Sequence, residues 1–238
     1  MKTTVIIPAA GMGSRMGAVK QLMMLKGKPV LTHTLAAFES HSEVDEIILS
    51  LPKNLLKSDL KNGLKSDLKS DLKSDFEGQF KAQFKKLNTV IEGGSSRQAS
   101  VWACLKALGP DTAWVIIHDG VRPLVTHKVI SDVLTFVRRG CPAVSGVISK
   151  DTVKISDQDG IVKSTPVREN TWLVQTPQGF PVNMIKEAHQ KALEEGFTGT
   201  DDATLVERMG ISVQMVKGDY RNIKLTTPED VLAAEALT

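Results

Sequence analysis

Apolar and polar residues follow two patterns along this 238-residue chain. Short, largely apolar runs rich in Val and Ile recur at Thr3–Ile7, Glu46–Leu51, Thr89–Glu92, Trp114–His118 and Ala143–Ile148, and each predicts a strand. Longer stretches that mix apolar with polar residues separate them, at Pro29–Glu39, Arg97–Leu108 and Lys128–Arg138, and predict helices. Strand–helix alternation of this kind predicts an α/β, Rossmann-like domain. Its sheet is expected to be twisted and mostly parallel, covered by helices on both faces. Pro29 suits the first turn of its helix, and Gly140-Cys141-Pro142 ends another.

The alternation breaks after residue 150. Asp151–Pro181 reads as short extended pieces with turns, including Asp157-Gln158-Asp159-Gly160, and predicts a protruding β-hairpin arm over 151–180. Such an excursion is expected to pack on something other than its own sheet, and a second subunit is the natural candidate. Helices at Pro181–Glu195 and Asp201–Met209, a strand at Ser212–Val216 and a helix at Pro228–Leu237 with Thr227 as N-cap complete the pattern. One domain over 1–238 accommodates all of this.

Residues 56–75 are of low complexity. Leu-Lys-Ser-Asp occurs at 56–59, 64–67, 68–71 and 72–75, with a degenerate copy at 60–63. An apolar residue at every fourth position winds around a helix, and like charges meet at i,i+4, so the repeats favour a surface insertion over an amphipathic helix. Asp75–Leu87 is a better helix: Asp75 can cap it, Phe76, Phe80 and Phe84 share a face, and Glu77 can pair with Lys81.

Composition sharpens this. A hydrophobic content of 41% supports a sizeable core, and no run approaches the roughly 18 apolar residues of a membrane span. The N-terminus enters a strand directly, so no signal peptide is expected. Two cysteines, Cys104 and Cys141, in apolar surroundings predict reduced thiols and a cytoplasmic protein. Net charge is +3, but residues 53–86 hold nine Lys against five acids. The remainder is near neutral, so the basic balance belongs to one segment and is no argument for nucleic-acid binding.

Three loops carry candidate chemistry. The first strand feeds Pro8-Ala9-Ala10-Gly11-Met12-Gly13-Ser14-Arg15-Met16-Gly17, with Lys20 close behind. Its glycines are one residue off the dinucleotide spacing, no acidic residue closes the second strand, and no Gly-Lys-Ser/Thr is present. Small residues that admit an anion, with one Arg and one Lys beside them, point to phosphate handling and nucleotidyl transfer. The second loop, Glu92-Gly93-Gly94-Ser95-Ser96-Arg97-Gln98-Ala99-Ser100, opens a helix, and a glycine turn capped by Ser96 explains it as well as a ribose contact does. The third, His118-Asp119-Gly120-Val121-Arg122-Pro123, lies at the carboxyl end of a strand, where open α/β sheets bind ligands. Asp119 suits a hydroxyl or an indirectly held Mg²⁺, Arg122 suits a phosphate, and His118 fits a hydrogen-bonded core residue better than a ligand. Later residues, Asp151-Thr152, Arg168, Thr176-Pro177-Gln178, Thr200-Asp201-Asp202 and Lys224, are singly consistent with solvated surface.

Together these motifs resemble the 2-C-methyl-D-erythritol 4-phosphate cytidylyltransferases from end to end. The match runs through Pro8-Ala9-Ala10-Gly11-x-Gly13-x-Arg15-Met16, Lys20-Gln21, Gly93-Gly94 with Arg97 and Ser100, His118-Asp119-x-x-Arg122-Pro123, Asp151-Thr152-x-Lys154, Thr176-Pro177-Gln178-x-Phe180, Thr200-Asp201-Asp202-Ala203 and Asn222–Asp230. Only the 53–86 region lacks a counterpart. The resemblance implies transfer of CMP from CTP to 2-C-methyl-D-erythritol 4-phosphate with Mg²⁺, in a homodimer whose arm completes the neighbour's site. It implies that Pro8, Ala9, Ala10, Gly11, Gly13, Gly93, Gly94, Ser100 and Asp119 hold the nucleotide. It places Arg15, Lys20 and Lys224 around the triphosphate and Thr152 and Arg168 on the sugar phosphate across the dimer. Asp119, Arg122, Thr176 and Thr200 would line the acceptor side, with Arg15, Lys20, Arg168 and Lys224 as the catalytic cations. Mg²⁺ would be held mainly by the triphosphate, with Asp119 as a possible ligand. Val19, Val121 and Ser95 depart from the family pattern. A sister cytidylyltransferase acting on ribitol 5-phosphate shares the first loop and the Asp119/Arg122 motif, and a nucleotide-binding regulator is the alternative from another class.

Overall fold

The structure, a computed structural model, describes residues 1–11, 20–56 and 76–238. In chain order the elements are β1 (Lys2–Pro8), β2 (Met24–Leu25), β3 (Lys28–Pro29), α1 (Val30–Glu39), β4 (Glu46–Leu51), α2 (Lys53–Leu56), α3 (Phe76–Gln83), β5 (Leu87–Glu92), α4 (Arg97–Lys106) and β6 (Thr112–Ile117). They continue with α5 (His127–Val137), β7 (Ala143–Ile148), β8 (Ile155–Ser156), β9 (Val162–Ser164), β10 (Trp172–Pro181), α6 (Val182–Glu194), α7 (Asp202–Arg208), β11 (Gln214–Lys217) and α8 (Pro228–Leu237).

Seven strands form one sheet in the order β11-β7-β10-β6-β1-β4-β5. All neighbouring pairs are parallel except those of β10, which runs antiparallel to both β6 and β7. The central strands are apolar on both faces because helices cover both. Val5 and Ile7 of β1 pack with α1 and α5 through Leu35, Phe38, Ile130 and Val133. Ile6, between them, points the other way into Val101 and Leu105 of α4 and Ile185 of α6. The period of two along the strand thus divides one apolar run between two cores. A third, smaller core of Leu25, Val30, Leu225 and Ala234 seats α8 against the β2–β3 hairpin.

This topology places the site. Strands β1, β5 and β6 run the same way, so residues 9–11, 93–96 and 118–122 leave the sheet along one edge. Local signals fix the helices that follow. Ser96 Oγ accepts from Ala99 N at 3.0 Å as the N-cap of α4, and Asp201 does the same for Thr204 N in α7. Thr227 and Asp230 form a reciprocal capping box at α8.

Two expectations need correction. Residues 151–181 are not all excursion: β10 is a central strand of the main sheet, paired through Gln178↔Ile117 and Gln178↔Val144, and buried from Gln175 to Phe180. Only β8 and β9, a short antiparallel pair with exposed residues, form a separate hairpin. Thr176-Pro177-Gln178-Gly179 looks like turn material, yet Pro177 sits where the register against β7 shifts, a place that needs no ladder donor. Pro29 also stands one residue outside α1, in extended conformation, paired with Met24 in a small hairpin.

Phe80 and Phe84 meet with ring centroids 5.9 Å apart, as expected, although α3 ends at Gln83, short of the expected Leu87. The expected cap Asp75 and the repeats at 57–75 lie outside the described residues, as do Gly13, Arg15 and Val19. Among the described residues no helix is long and apolar enough to cross a membrane.

Candidate active site

Two cavities meet at the carboxyl edge of the sheet. The larger, about 550 Å³, is lined by Pro8, Ala9, Ala10, Gly11, Lys20, Gln21, residues 94–97, Ser100, residues 119–121 and residues 224–226. The second, about 380 Å³, is lined by Arg122, Gln175, Thr176, Gln178, Thr200 and Asp201, among others. Arg97, Asp119 and Lys224 line both and form their common wall.

The larger cavity is shaped by close backbone approach. A methyl group on Gly93 would stand 2.1 Å from Ala10 Cβ and 3.0 Å from Ser100 Oγ, so only glycine lets the first and second loops touch. Ser100 is buried and ties this turn down, accepting from Gly94 N at 3.1 Å and donating to Ser96 O at 2.8 Å. Gln21, also buried, donates its side-chain N–H groups to the carbonyls of Ala9 and Gly11, and so fixes the base of the first loop. Val121, a departure from the family pattern, packs against the small core under α8 and costs the cavity no polar group.

The common wall is electrostatic. Asp119 is buried, and three cations converge on it: Arg97 Nε at 3.0 Å, Lys224 Nζ at 3.0 Å and Arg122 Nε at 3.5 Å. Burial alone would raise its pKa, but the charges of Arg97, Lys224 and Arg122 outweigh this and hold it well below the usual carboxylate range. Asp202 behaves alike: burial opposes its charge, and Arg97 with His189 keeps it ionised. Arg122 is pinned from the other side, donating through Nη1 to Asn222 O at 2.7 Å.

His118 is fully buried, and burial pushes its pKa down to about 4, so the ring is neutral at pH 7. Nε2 lies 3.0 Å from Arg122 O, which can only accept, so this nitrogen carries the proton. Nδ1 then accepts from Thr176 Oγ1 at 3.0 Å, and Thr176 Oγ1 accepts from Asp119 N at 3.1 Å. His118 is therefore the hydrogen-bonded core residue that the sequence favours, and it sets the Asp119 backbone through Thr176.

The structure gathers most of the predicted site. Pro8, Ala9, Ala10, Gly11, Lys20, Gly94, Ser100, Asp119, Arg122, Thr176, Thr200 and Lys224 line one cavity or both, with Gly93 packed directly behind. Thr152 and Arg168 do not join them. They are exposed, bonded to each other at 2.9 Å, on the arm. Sequence reasoning gave no role to Arg97, Gln21 or Asp202. A basic residue directly after the Ser96 cap was the available signal for Arg97.

A mostly parallel sheet whose strand ends present a glycine-lined cavity and a cation cluster, beside a second polar cavity, defines a nucleotidyltransferase of Rossmann-like fold. The family model described as 2-C-methyl-D-erythritol 4-phosphate cytidylyltransferase (IspD) matches residues 3–238. The chain belongs to that family. It is 45% identical to the 2-C-methyl-D-erythritol 4-phosphate cytidylyltransferase of Geotalea uraniireducens, over 99% of this chain and 96% of that protein. It is 42% identical to the protein of the same name from Halalkalibacterium halodurans, over 100% and 97%. Among solved structures it resembles 4-diphosphocytidyl-2C-methyl-D-erythritol synthase from Anaerococcus prevotii, with TM-score 0.83 and 33% identity over 99% of this chain and 95% of that one. The Thermus thermophilus cytidylyltransferase matches with TM-score 0.74 and 33% identity, over 100% and 98%.

Proposed function

We propose that the two cavities hold the two substrates of the family reaction: CTP in the larger and 2-C-methyl-D-erythritol 4-phosphate in the second. The observation that carries this is the shared wall of Arg97, Asp119 and Lys224, which puts a cation cluster where two polyanions must meet. An acceptor phosphate oxygen attacks the α-phosphorus of CTP, a new P–O bond forms, and the bond to the β-phosphate oxygen breaks with release of pyrophosphate. The attacking group is the substrate's own phosphate, so no protein nucleophile or general base is required.

The chain's part is to orient and to stabilise charge. Gly11, Gly94 and Ser100 receive the nucleoside, with Gly13 assigned to the same loop. Lys20, Lys224 and Arg15 neutralise the triphosphate and the charge that builds on the α-phosphorus. Arg122, Thr176 and Thr200 bind the polyol phosphate. Mg²⁺ would be held chiefly by substrate phosphate oxygens: Asp119 faces both cavities, but its oxygens already meet Arg97, Lys224 and Arg122, so it would serve as a ligand only by giving up one of them. When bound, such an ion would withdraw charge from the phosphates and so ease the release of pyrophosphate.

The arm supports a homodimer. Thr152 and Arg168 carry chemistry suited to a phosphate yet line neither cavity of their own chain. Around them Ile155, Ile161, Val162, Val167 and Leu173 are all more than half exposed, an apolar surface suited to a second copy. The reading is therefore of a cytoplasmic homodimer, one nucleotidyltransferase domain over 1–238 with an insertion at 56–75 and an arm within 151–180. The test is ³¹P NMR of the reaction with CTP and 2-C-methyl-D-erythritol 4-phosphate. Two mutually coupled resonances from a new diphosphate bridge, together with inorganic pyrophosphate, are expected. CMP in place of the coupled pair would overturn transfer in favour of hydrolysis.

A further inference from the structure

Arg97 borders both cavities, and its guanidinium is divided between two carboxylates. Nε bonds Asp119 at 3.0 Å and Nη1 bonds Asp202 Oδ2 at 2.7 Å. Asp202 is held in place independently of Arg97. It opens α7, whose cap Asp201 is bonded to Gln178 Nε2 at 2.7 Å, while Gln178 Oε1 accepts from Ala203 N at 3.2 Å. Gln98, one residue beyond Arg97, ties the preceding turn to α4 through Phe197 O and Gly199 N, both at 3.0 Å. The remaining oxygen of Asp202, Oδ1, lies 3.0 Å from His189 Nε2 on α6, and both side chains are 1% exposed. Trp102 of α4 lies nearly parallel to the His189 ring, 6° between planes and 6.1 Å between centroids.

A buried carboxylate needs donors for both oxygens. Here one comes from Arg97 and the other from His189. With the histidine donor gone, Oδ1 competes for the guanidinium, and a carboxylate that chelates an arginine takes two of its N–H groups. Nη1 already serves Oδ2, so the second group is Nη2, and turning the guanidinium to present Nη1 and Nη2 together to Asp202 draws Nε away from Asp119. Asp119, with its Arg97 bond weakened, then pulls harder on Lys224, the most exposed of its three cations at 41%.

We infer that His189, acting through Asp202, is a positioning residue: it keeps Arg97 shared between Asp202 and Asp119, and so leaves Lys224 available to the reacting phosphates. The inference rests on the assignment of Lys224 to those phosphates.

The experiment compares His189→Leu, which removes the donor at similar volume, with His189→Gln, which keeps an N–H at similar reach. Steady-state kcat, KM for each substrate and thermal unfolding are measured on both. A merely structural histidine would lower the melting temperature and leave kcat of the folded enzyme alone. The inference predicts about a tenfold lower kcat in His189→Leu, with KM for CTP changed less than about threefold, and recovery of most of kcat in His189→Gln. Wild-type kcat in His189→Leu overturns it, and so does an equal kcat loss in the two variants. If His189→Leu does not fold, His189→Asn replaces it, since its shorter amide cannot reach Asp202. Equal kcat in the Asn and Gln variants is then the contradicting result. Lys224→Ala in the same assay separates the two levels: unchanged turnover there would sink the Lys224 assignment itself.

Discussion

Lys224 Nζ stands 3.0 Å from Asp119 Oδ2, joining the segment after the last strand of the chain to the end of a central one. The pair closes the wall between the two cavities. It also explains how a lysine on an irregular segment is aimed: Asp119 orients it, while partial exposure leaves it able to engage a polyanion.

Removing that charge should affect chemistry more than folding. Lys224→Ala and Lys20→Ala are each expected to lower kcat at least about a hundredfold, equivalent to roughly 2.7–4 kcal/mol of barrier. Circular dichroism and melting temperature should stay near wild type in Lys20→Ala. Near-native turnover in either variant would remove that lysine from the account.

Gly93→Ala tests the contact between the first and second loops. The added methyl cannot fit 2.1 Å from Ala10 Cβ, so one loop must shift, at a cost of about 1–3 kcal/mol. Raised KM for CTP with a smaller change in KM for the polyol phosphate is expected, because the strain falls on the larger cavity. Equal changes in both would show that the two cavities do not divide the substrates.

Acid should destabilise the protein in two stages. His118 has a native pKa lowered to about 4 by burial, against about 6.5 when unfolded, so the unfolded state binds the extra proton first. Its contribution is intact above about pH 6.5 and is lost as pH falls towards 4, up to about 3 kcal/mol. Asp119 and Asp202, both lowered in the native state, contribute above the ordinary aspartate range and lose that contribution as pH falls below it. Urea unfolding of wild type and His118→Gln from pH 7.5 to 4 reads the first stage. Parallel stability curves for the two proteins would contradict it.

A subunit-mixing experiment tests the arm. Arg168→Ala and Lys224→Ala, each inactive alone, should regain activity when unfolded and refolded together. In mixed dimers one of the two sites then takes an intact body from one chain and an intact arm from the other. About a quarter of wild-type turnover is expected from random pairing of a two-fold dimer. No recovery, with mixed dimers demonstrated by differential tags, would place Arg168 outside the partner's site.

Much of this was legible in the sequence, for physical reasons that differ by element. Runs such as Val5-Ile6-Ile7 are buried on both faces, so their composition alone marks them as central strands. Helix starts at Ser96 and Thr227 announce themselves because capping is a local interaction. The strand β10 was hidden, since Pro177 and Gly179 read as turn residues, and only its two neighbours in the sheet make it a strand. What Arg97 and Asp202 do together was hidden for another reason. Their partnership spans 105 residues of sequence and depends on how α7 packs beside α4, which no local pattern encodes.

The central claim is that this cleft passes CMP from CTP to 2-C-methyl-D-erythritol 4-phosphate. It is tested most directly by continuous pyrophosphate release with CTP and either that acceptor or ribitol 5-phosphate. Release that requires both CTP and 2-C-methyl-D-erythritol 4-phosphate, with a clearly lower kcat/KM for ribitol 5-phosphate, is the predicted result. Equal or greater kcat/KM with ribitol 5-phosphate, or no release with the methylerythritol acceptor, would contradict it.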